Sequence, residues 1–186
     1  MRLFSRLKLL IYLLLFILGC EENITNEKND CSECIEVYTS DWEQTSFYYN
    51  LVTNMEDVTN WHVSLQKIEV PLGGNTNPMP SIILGSNVLI SIYNSLSFDD
   101  IVTTPANVEW SSDTSLTSYG NEYEVLHYKF TCSNIEHTHL IEHKIMVMPN
   151  NYLIKELSTN NTYKLRFEDY NSGVALFKFS KLNIEN

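Results

Sequence analysis

Histidine and methionine side chains are concentrated in one segment of the sequence, IEHTHLIEHKIMVMP. If this segment is extended, His137, His139 and His143 project from one face, because successive side chains of a strand alternate between its faces. Neighbouring imidazoles then lie about 7 Å apart, which lets them share one ion after rotamer changes. Three such imidazoles suit Zn or Cu, and the Met146 and Met148 pair on the other face suits Cu(I). The alternative is a set of surface imidazoles above two methionines that face the core.

Enzyme motifs are absent from the sequence. It contains no Gly-x-Ser-x-Gly elbow, no phosphate loop, no Gly-x-Gly-x-x-Gly and no His-Glu-x-x-His. These motifs supply a nucleophile, a phosphate cradle or a metal site with its catalytic base. We therefore expect a protein that is not an enzyme and that uses no nucleotide cofactor.

The distribution of apolar residues predicts an all-β fold. Of the 186 residues, 44% are hydrophobic and 12% are aromatic, which is enough for one packed domain. The apolar residues occur in short β-branched and aromatic runs separated by turn formers such as Gly73-Gly74-Asn75 and Asn77-Pro78. We predict a single β-rich domain over residues 35–186, with antiparallel meanders and long loops. The predicted strands cover residues 35–40, 46–53, 61–70, 81–93, 122–130, 151–158, 162–170 and 173–182.

The segment TYKLRFEDY, residues 162–170, has the clearest alternation. It places Tyr163, Leu165, Phe167 and Asp169 on one face of a half-buried strand. Asn160-Asn161 before it is a turn candidate, so the C-terminal third is predicted to be a meander. Only residues 96–101 and part of 136–146 are compatible with a helical turn, and neither has a convincing cap.

The N-terminus predicts a lipoprotein signal peptide over residues 1–19. Three basic residues precede an apolar run, Leu9–Leu18, that reaches only about 15 Å as a helix, half of a bilayer's hydrocarbon core. The sequence ILGC, ending at Cys20, resembles the lipobox of bacterial lipoproteins, in which the Cys is acylated after cleavage. A plain signal peptide with an incidental Cys is the alternative. Residues 20–34 hold one apolar residue before Cys34, Ile24, and we interpret them as a lipidated tether.

Charge argues against several partners. A chain beginning at Cys20 carries a formal charge of −14, which disfavours nucleic acid and repels anionic headgroups. Membrane attachment then depends on the acyl chains of Cys20. Glu21-Glu22 resembles the acidic export signal of some Gram-negative lipoproteins, so we expect the outer membrane and its cell-surface face.

Three cysteines follow the lipobox: Cys31, Cys34 and Cys132. In an oxidising compartment two of them are expected to pair and one stays free. A bridge from Cys31 or Cys34 to Cys132 and a local Cys31–Cys34 bridge remain equally open. A single Cys-x-x-Cys motif is weak grounds for zinc or redox chemistry.

Three blocks of sequence resemble the HmuY-like family of outer-membrane haem-binding lipoproteins. They are Phe47-Tyr48-Tyr49-Asn50-Leu51, Asn60-Trp61-His62-Val63-Ser64-Leu65, and the closing meander from Tyr152 to Phe179. The resemblance implies an all-β fold, surface anchoring, and capture of haem between two axial side chains for delivery to a TonB-dependent outer-membrane receptor.

The sequence departs from that family at the ligand positions. Gln66 and the segment 95–98 stand where the axial ligands are expected, and neither offers a His, Met or Cys. The imidazole and thioether groups that remain are competent haem ligands. The ligand candidates are therefore Met79, His127, His137, His139, His143, Met146 and Met148. Zinc or copper binding by the three clustered histidines is the first alternative, and a non-catalytic adhesion or structural role is the second.

Overall fold

The computed structural model describes residues 31, 33–72, 74–112, 117–135 and 138–183. Within these residues it contains eleven β-strands and no helix, which confirms the all-β prediction. The strands are β1 (Ile35–Tyr38), β2 (Phe47–Asn50), β3 (Met55–Glu56), β4 (Val63–Leu72), β5 (Asn75–Leu84), β6 (Val88–Ile92), β7 (Leu126–Ile135), β8 (Thr138–Val147), β9 (Tyr152–Glu156), β10 (Thr162–Asn171) and β11 (Val174–Lys181).

A five-stranded antiparallel sheet has the order β1-β11-β10-β9-β6. Its centre is the C-terminal meander that the alternating sequence predicts. Asn160, in the loop between β9 and β10, has a positive φ of 56°. The β10–β11 turn uses Ser172 and Gly173, both with positive φ, which matches the twist of the flanking strands.

A four-stranded antiparallel sheet has the order β3-β2-β4-β5. Its longest pair, β4 and β5, runs in register from Val63 opposite Leu84 to Leu72 opposite Asn75. The prediction that residues 75–80 form a loop is therefore wrong, although the segment contains Pro78 and Pro80. Proline lacks a backbone donor, but β5 is an edge strand and needs donors on one side only.

The core lies between these two sheets. Tyr49 of β2 meets Phe177 and Phe179 of β11 edge to face, with ring centroids 5.5 and 5.8 Å apart. Leu65 and Ile154 are almost fully buried in the same cluster. Aromatic pairs in this geometry add to the stabilisation that burial of their apolar area provides.

A β-bulge interrupts β10. Its pairing with β11 shifts between Phe167 and Asp169, so Glu168 is the extra residue. Asp169 is consequently exposed instead of sharing a face with Phe167, and that part of the alternation prediction is wrong. Tyr170 takes the inward direction and packs against the core.

The predicted strand over residues 81–93 divides into β5 and β6 at Gly85. A Cβ at Gly85 would lie 2.5 Å from the carbonyl oxygen of Trp61, so the chain passes too close for a side chain. Residues 96–101 contain a turn in which Ser97 O accepts a hydrogen bond from Asp100 N at 3.2 Å. Nearby, Lys164 Nζ donates to Phe98 O at 2.8 Å, which fastens this loop to the outer face of the five-stranded sheet.

The strands β7 and β8 form a separate two-stranded sheet. Their register runs from Leu126 opposite Val147 to Ile135 opposite Thr138. The sequence of part of residues 136–146 is compatible with a helical turn. The strand from Thr138 onward shows that this interpretation is wrong. Ile145 and Val147 pack against the core, so the base of this hairpin is attached to the rest of the domain.

The N-terminal end of the described chain carries a disulfide between Cys31 and Cys34. Of the two pairings left open by the sequence, the structure has the local one. The side chain of Cys132, the signal segment 1–19 and the acylation candidate Cys20 lie outside what the structure describes. No helix capable of crossing a membrane occurs in the described part of the chain.

Candidate functional site

The exposed base of the β7–β8 hairpin brings together residues distant in sequence. His127 lies directly opposite Met146, and Lys129 lies directly opposite Lys144. Side chains that oppose each other in an antiparallel pair share a face, with Cβ atoms about 5 Å apart. The side chain of His127 is 48% exposed and Met146 is 40% exposed. We call these four residues the hairpin face.

His127 is held by its neighbours. Its Nδ1 lies 3.1 Å from the Glu124 carboxylate, and its ring stacks on Tyr119 with centroids 6.4 Å apart. Glu124 itself accepts a hydrogen bond from Gly120 N at 3.1 Å. A carboxylate on one ring nitrogen fixes the orientation of a ligating imidazole. Because Nδ1 is engaged, Nε2 is the atom with which His127 would bind an iron.

The lysine pair places two positive charges side by side on an acidic protein. Lys129 and Lys144 are both exposed. Like charges directly opposite each other destabilise a strand pair, so the arrangement costs some stability in the absence of a counter-ion. An anionic group bound across the two ammonium groups would remove that cost. The hairpin face therefore combines an imidazole, a thioether and two ammonium groups.

A cavity lies where the hairpin meets the rest of the domain. It has a volume of about 350 Å³ and is bordered by three segments: Glu43, residues Tyr170 to Ser172, and Tyr128 with Lys144 and Ile145 on the hairpin. Tyr128 and Ile145 are cross-strand partners. They occupy the alternate position to His127 and Met146 and so point to the opposite side of the two strands, while Lys144 belongs to the hairpin face and also borders the cavity.

The wall of this cavity is fixed by hydrogen bonds. Tyr170 Oη donates to Glu43 Oε1 at 2.6 Å and accepts from Gly173 N at 3.2 Å. Burial, and then the hydrogen bond to Glu43, raise the pKa of the Tyr170 hydroxyl, so it remains a donor. The Trp42 ring lies 5.8 Å from the Tyr170 ring, and among the described side chains its buried Nε1 lacks a hydrogen-bond partner.

In two comparisons with known proteins, the sequence of this chain matches no protein-family model and no curated protein.

The ligand candidates from the sequence fall in different places. Met79 lies in β5 opposite Ile68 and is 5% exposed, so it is a core residue. The backbones of His139 and His143 belong to β8, opposite Asn134 and Phe130. Their side chains, and the whole of His137, lie outside the described residues. Within the part of the chain that is described, no group of three or more His, Cys, Asp or Glu side chains is placed to hold a metal ion.

Two titratable residues that the sequence did not single out have structural roles. His62 is buried, and its Nδ1 accepts from Leu51 N at 2.9 Å. Burial lowers the pKa of His62, which keeps the ring neutral and able to accept. Buried Glu156 accepts from Ser158 N at 2.8 Å and from Thr159 N at 2.7 Å. Burial alone would raise its pKa, but these hydrogen bonds outweigh that effect and lower the pKa to about 2.

Proposed function

We propose that this chain is a non-catalytic, surface-anchored lipoprotein that captures haem or a related porphyrin on the hairpin face. The observation that carries the proposal is the cross-strand pairing of His127 with Met146. The pairing of Lys129 with Lys144 lies two residues further along the same two strands. The sequence resemblance to haem-binding lipoproteins points to the same ligand class.

The chemistry of the hairpin face suits the two ends of a haem. Imidazole and thioether are both axial ligands of haem iron, and lysine ammonium groups neutralise carboxylates such as the propionates. Lys129 lies two residues from His127, about 7 Å along the strand. With that separation, His127 would contact the iron while Lys129, on the same face of the hairpin, would contact a propionate at the edge of the haem. His127 and Met146 lie on the same side, so we assign His127 as the axial ligand and Met146 as its neighbour against the ring.

Anchoring places this site near a membrane. We propose that Cys20 carries the acyl chains, and that the protein hands its ligand to a TonB-dependent outer-membrane receptor. Residues 20–31 would join the lipid to the Cys31–Cys34 disulfide ahead of the first strand, and a fully extended chain of that length spans about 40 Å. The domain would then reach ligand outside the headgroup layer without leaving the membrane.

The test is a haem titration of the full-length chain in detergent, followed by absorbance in the oxidised and reduced states against a haem-and-detergent blank. We expect a saturable Soret shift at one haem per chain. His127→Ala should weaken binding at least tenfold and change the Soret position, because the axial ligand is removed. Lys129→Ala with Lys144→Ala should weaken binding without moving the band.

Matched controls separate this site from non-specific binding. Met55 is 63% exposed on β3, so Met55→Ala controls for Met146→Ala, and exposed Lys181 provides a control for the lysine pair. No saturable shift in the parent would overturn haem capture. Binding that survives His127→Ala but is lost when His137, His139 and His143 are all changed to Ala would move the ligand to that cluster. The same triple variant, titrated with Zn²⁺ and Cu⁺, tests the metal-binding alternative.

A further inference from the structure

The cavity between the hairpin and the sandwich shares only Lys144 with the hairpin face, and the haem proposal leaves its other lining residues unused. We propose that it is a second binding site, and that it takes one neutral monosaccharide unit of a glycan. Its walls come from segments far apart in sequence, including Glu43, Tyr128 and Tyr170. Its size, its lining and its charge each point to that class of ligand.

The size of the cavity fits a single sugar ring. At about 30 Å³ of liquid volume per water molecule, 350 Å³ corresponds to about 12 waters. One hexose has twelve non-hydrogen atoms, which are covalently joined and therefore occupy less volume than twelve separate waters, so the cavity is large enough to admit it. The volume also lies at the low end of the range of about 300–1,000 Å³ that is typical of small-molecule sites, so a longer glycan would extend out of it.

The lining offers both kinds of contact that a sugar needs. Tyr128, Tyr170 and Ile145 border the cavity with apolar surface, against which the C–H face of a pyranose can pack. Asn171 and Ser172 add groups that both donate and accept hydrogen bonds. The Glu43 carboxylate is an acceptor that suits sugar hydroxyl donors.

The charge of the cavity favours a neutral ligand. Glu43 and Lys144 bring one negative and one positive group to its border, so neither sign predominates. The strong negative charge of the whole chain disfavours acidic ligands. A neutral polyol is compatible with the negative charge of the chain, and its hydroxyls can hydrogen-bond to both the Glu43 carboxylate and the Lys144 ammonium group.

The site is largely formed before a ligand arrives. Tyr170 is held by Glu43 on one side and by Gly173 N on the other. An added Cβ at Gly173 would collide with Asp41 and approach Glu43 to 3.0 Å, so this turn packs tightly against the Asp41–Glu43 segment. Rigid walls reduce the ordering cost of binding, which matters for a ligand with few contacts.

The experiment is isothermal titration of the full-length chain in detergent with a panel of probes: methyl glycosides of glucose, galactose and mannose, N-acetylglucosamine, and the amino acids tyrosine and lysine as zwitterionic competitors. We expect saturable binding of at least one neutral sugar with a dissociation constant in the millimolar range or tighter. Tyr128→Ala should weaken it at least tenfold, and Asn171→Ala should weaken it several-fold.

The controls decide between this site and a general effect. Tyr38 is 67% exposed and does not border the cavity, so Tyr38→Ala should leave sugar binding unchanged. His127→Ala should also leave it unchanged, because it removes only the haem ligand. Thermal melting of each variant checks that it folds. If Tyr128→Ala does not fold, Asn171→Ala, which changes an exposed side chain at the end of β10, still tests the site. Absence of saturable sugar binding by the folded parent, preference for a zwitterion, or binding insensitive to both cavity variants would each overturn the proposal.

Discussion

The β10–β11 hairpin and the β7–β8 hairpin are similar in length, yet they place their side chains in opposite environments. β7, β8 and β10 each have ten residues and β11 has eight. In β10–β11, the aromatic side chains of Tyr163, Phe177 and Phe179 are all nearly inaccessible. At the base of β7–β8, the paired side chains of the hairpin face are open to solvent.

The difference follows from the neighbours of each hairpin. β10 and β11 lie between β9 and β1 in the five-stranded sheet and have the second sheet against one face. Among the described strands β7 and β8 pair only with each other, and they join the core through Leu126, Ile145 and Val147. An isolated two-stranded hairpin is marginally stable in water, so this one depends on the sandwich for its position. Stability therefore resides in the sandwich, and the candidate binding chemistry resides on the hairpin.

The largest predicted effect breaks the sandwich. Phe177 is fully buried and contacts the rings of Tyr49 and Phe167, with centroids 5.5 and 5.4 Å away. Phe177→Ala should lower the free energy of unfolding by about 3–5 kcal/mol, because it removes buried area and leaves a cavity. Chemical denaturation measures this. A loss below about 1 kcal/mol would mean that the sandwich is not the stabilising region.

A smaller effect is expected at the end of the sandwich, at Glu156. Its folded pKa is about 2, below the ordinary value of 4.5. The carboxylate therefore contributes its stabilisation above about pH 4.5 and loses it as the pH falls towards 2, because the unfolded chain binds the proton first. Glu156→Gln should cost about 2–3 kcal/mol at pH 7.

Denaturation of Glu156→Gln and its parent between pH 7 and pH 2 measures this difference, which should shrink across that window. Glu168 is the matched control, since it forms a partly exposed ion pair with Arg166. Glu168→Gln should cost no more than about 1 kcal/mol. Equal costs at the two positions would contradict the special role of Glu156.

The smallest effect is predicted on the hairpin face. Met146→Ala should change the free energy of unfolding by no more than about 0.5 kcal/mol, because its side chain is exposed and leaves no cavity. Denaturation under the conditions used for Phe177→Ala gives the comparison directly. A loss as large as 2 kcal/mol would show that the hairpin contributes to the stability of the fold, and the division between the two regions would fail.

The sequence predicted the strands that bury an apolar face and missed those that do not. β10 and β11 alternate clearly between apolar and polar residues, so period two identifies them. β8 carries Thr, Glu, Lys and His among its apolar residues, and β5 contains two prolines, Pro78 and Pro80. Such segments become strands only when a neighbouring strand supplies hydrogen bonds, and that neighbour cannot be recognised from local sequence.

The candidate sites were even less accessible to sequence reasoning. The concentration of histidine drew attention to residues 137–143, while His127 stood alone in its strand. The register that pairs Ile135 with Thr138 also places Met146 opposite His127, and no local pattern in the sequence marks that register. The cavity depends on Glu43, Tyr128 and Tyr170 meeting across the fold, and no local pattern in the sequence marks that.

The bulge at Glu168 has a consequence for how such a protein changes over evolutionary time. Because one extra residue reverses the side to which every later side chain of β10 points, chain length decides whether Tyr170 or Asp169 faces Trp42 and Glu43. An insertion or deletion of one codon at this place would exchange a phenol for a carboxylate in the cavity wall without substituting either residue. Descendants of one gene could thus diverge in ligand preference through a change in register.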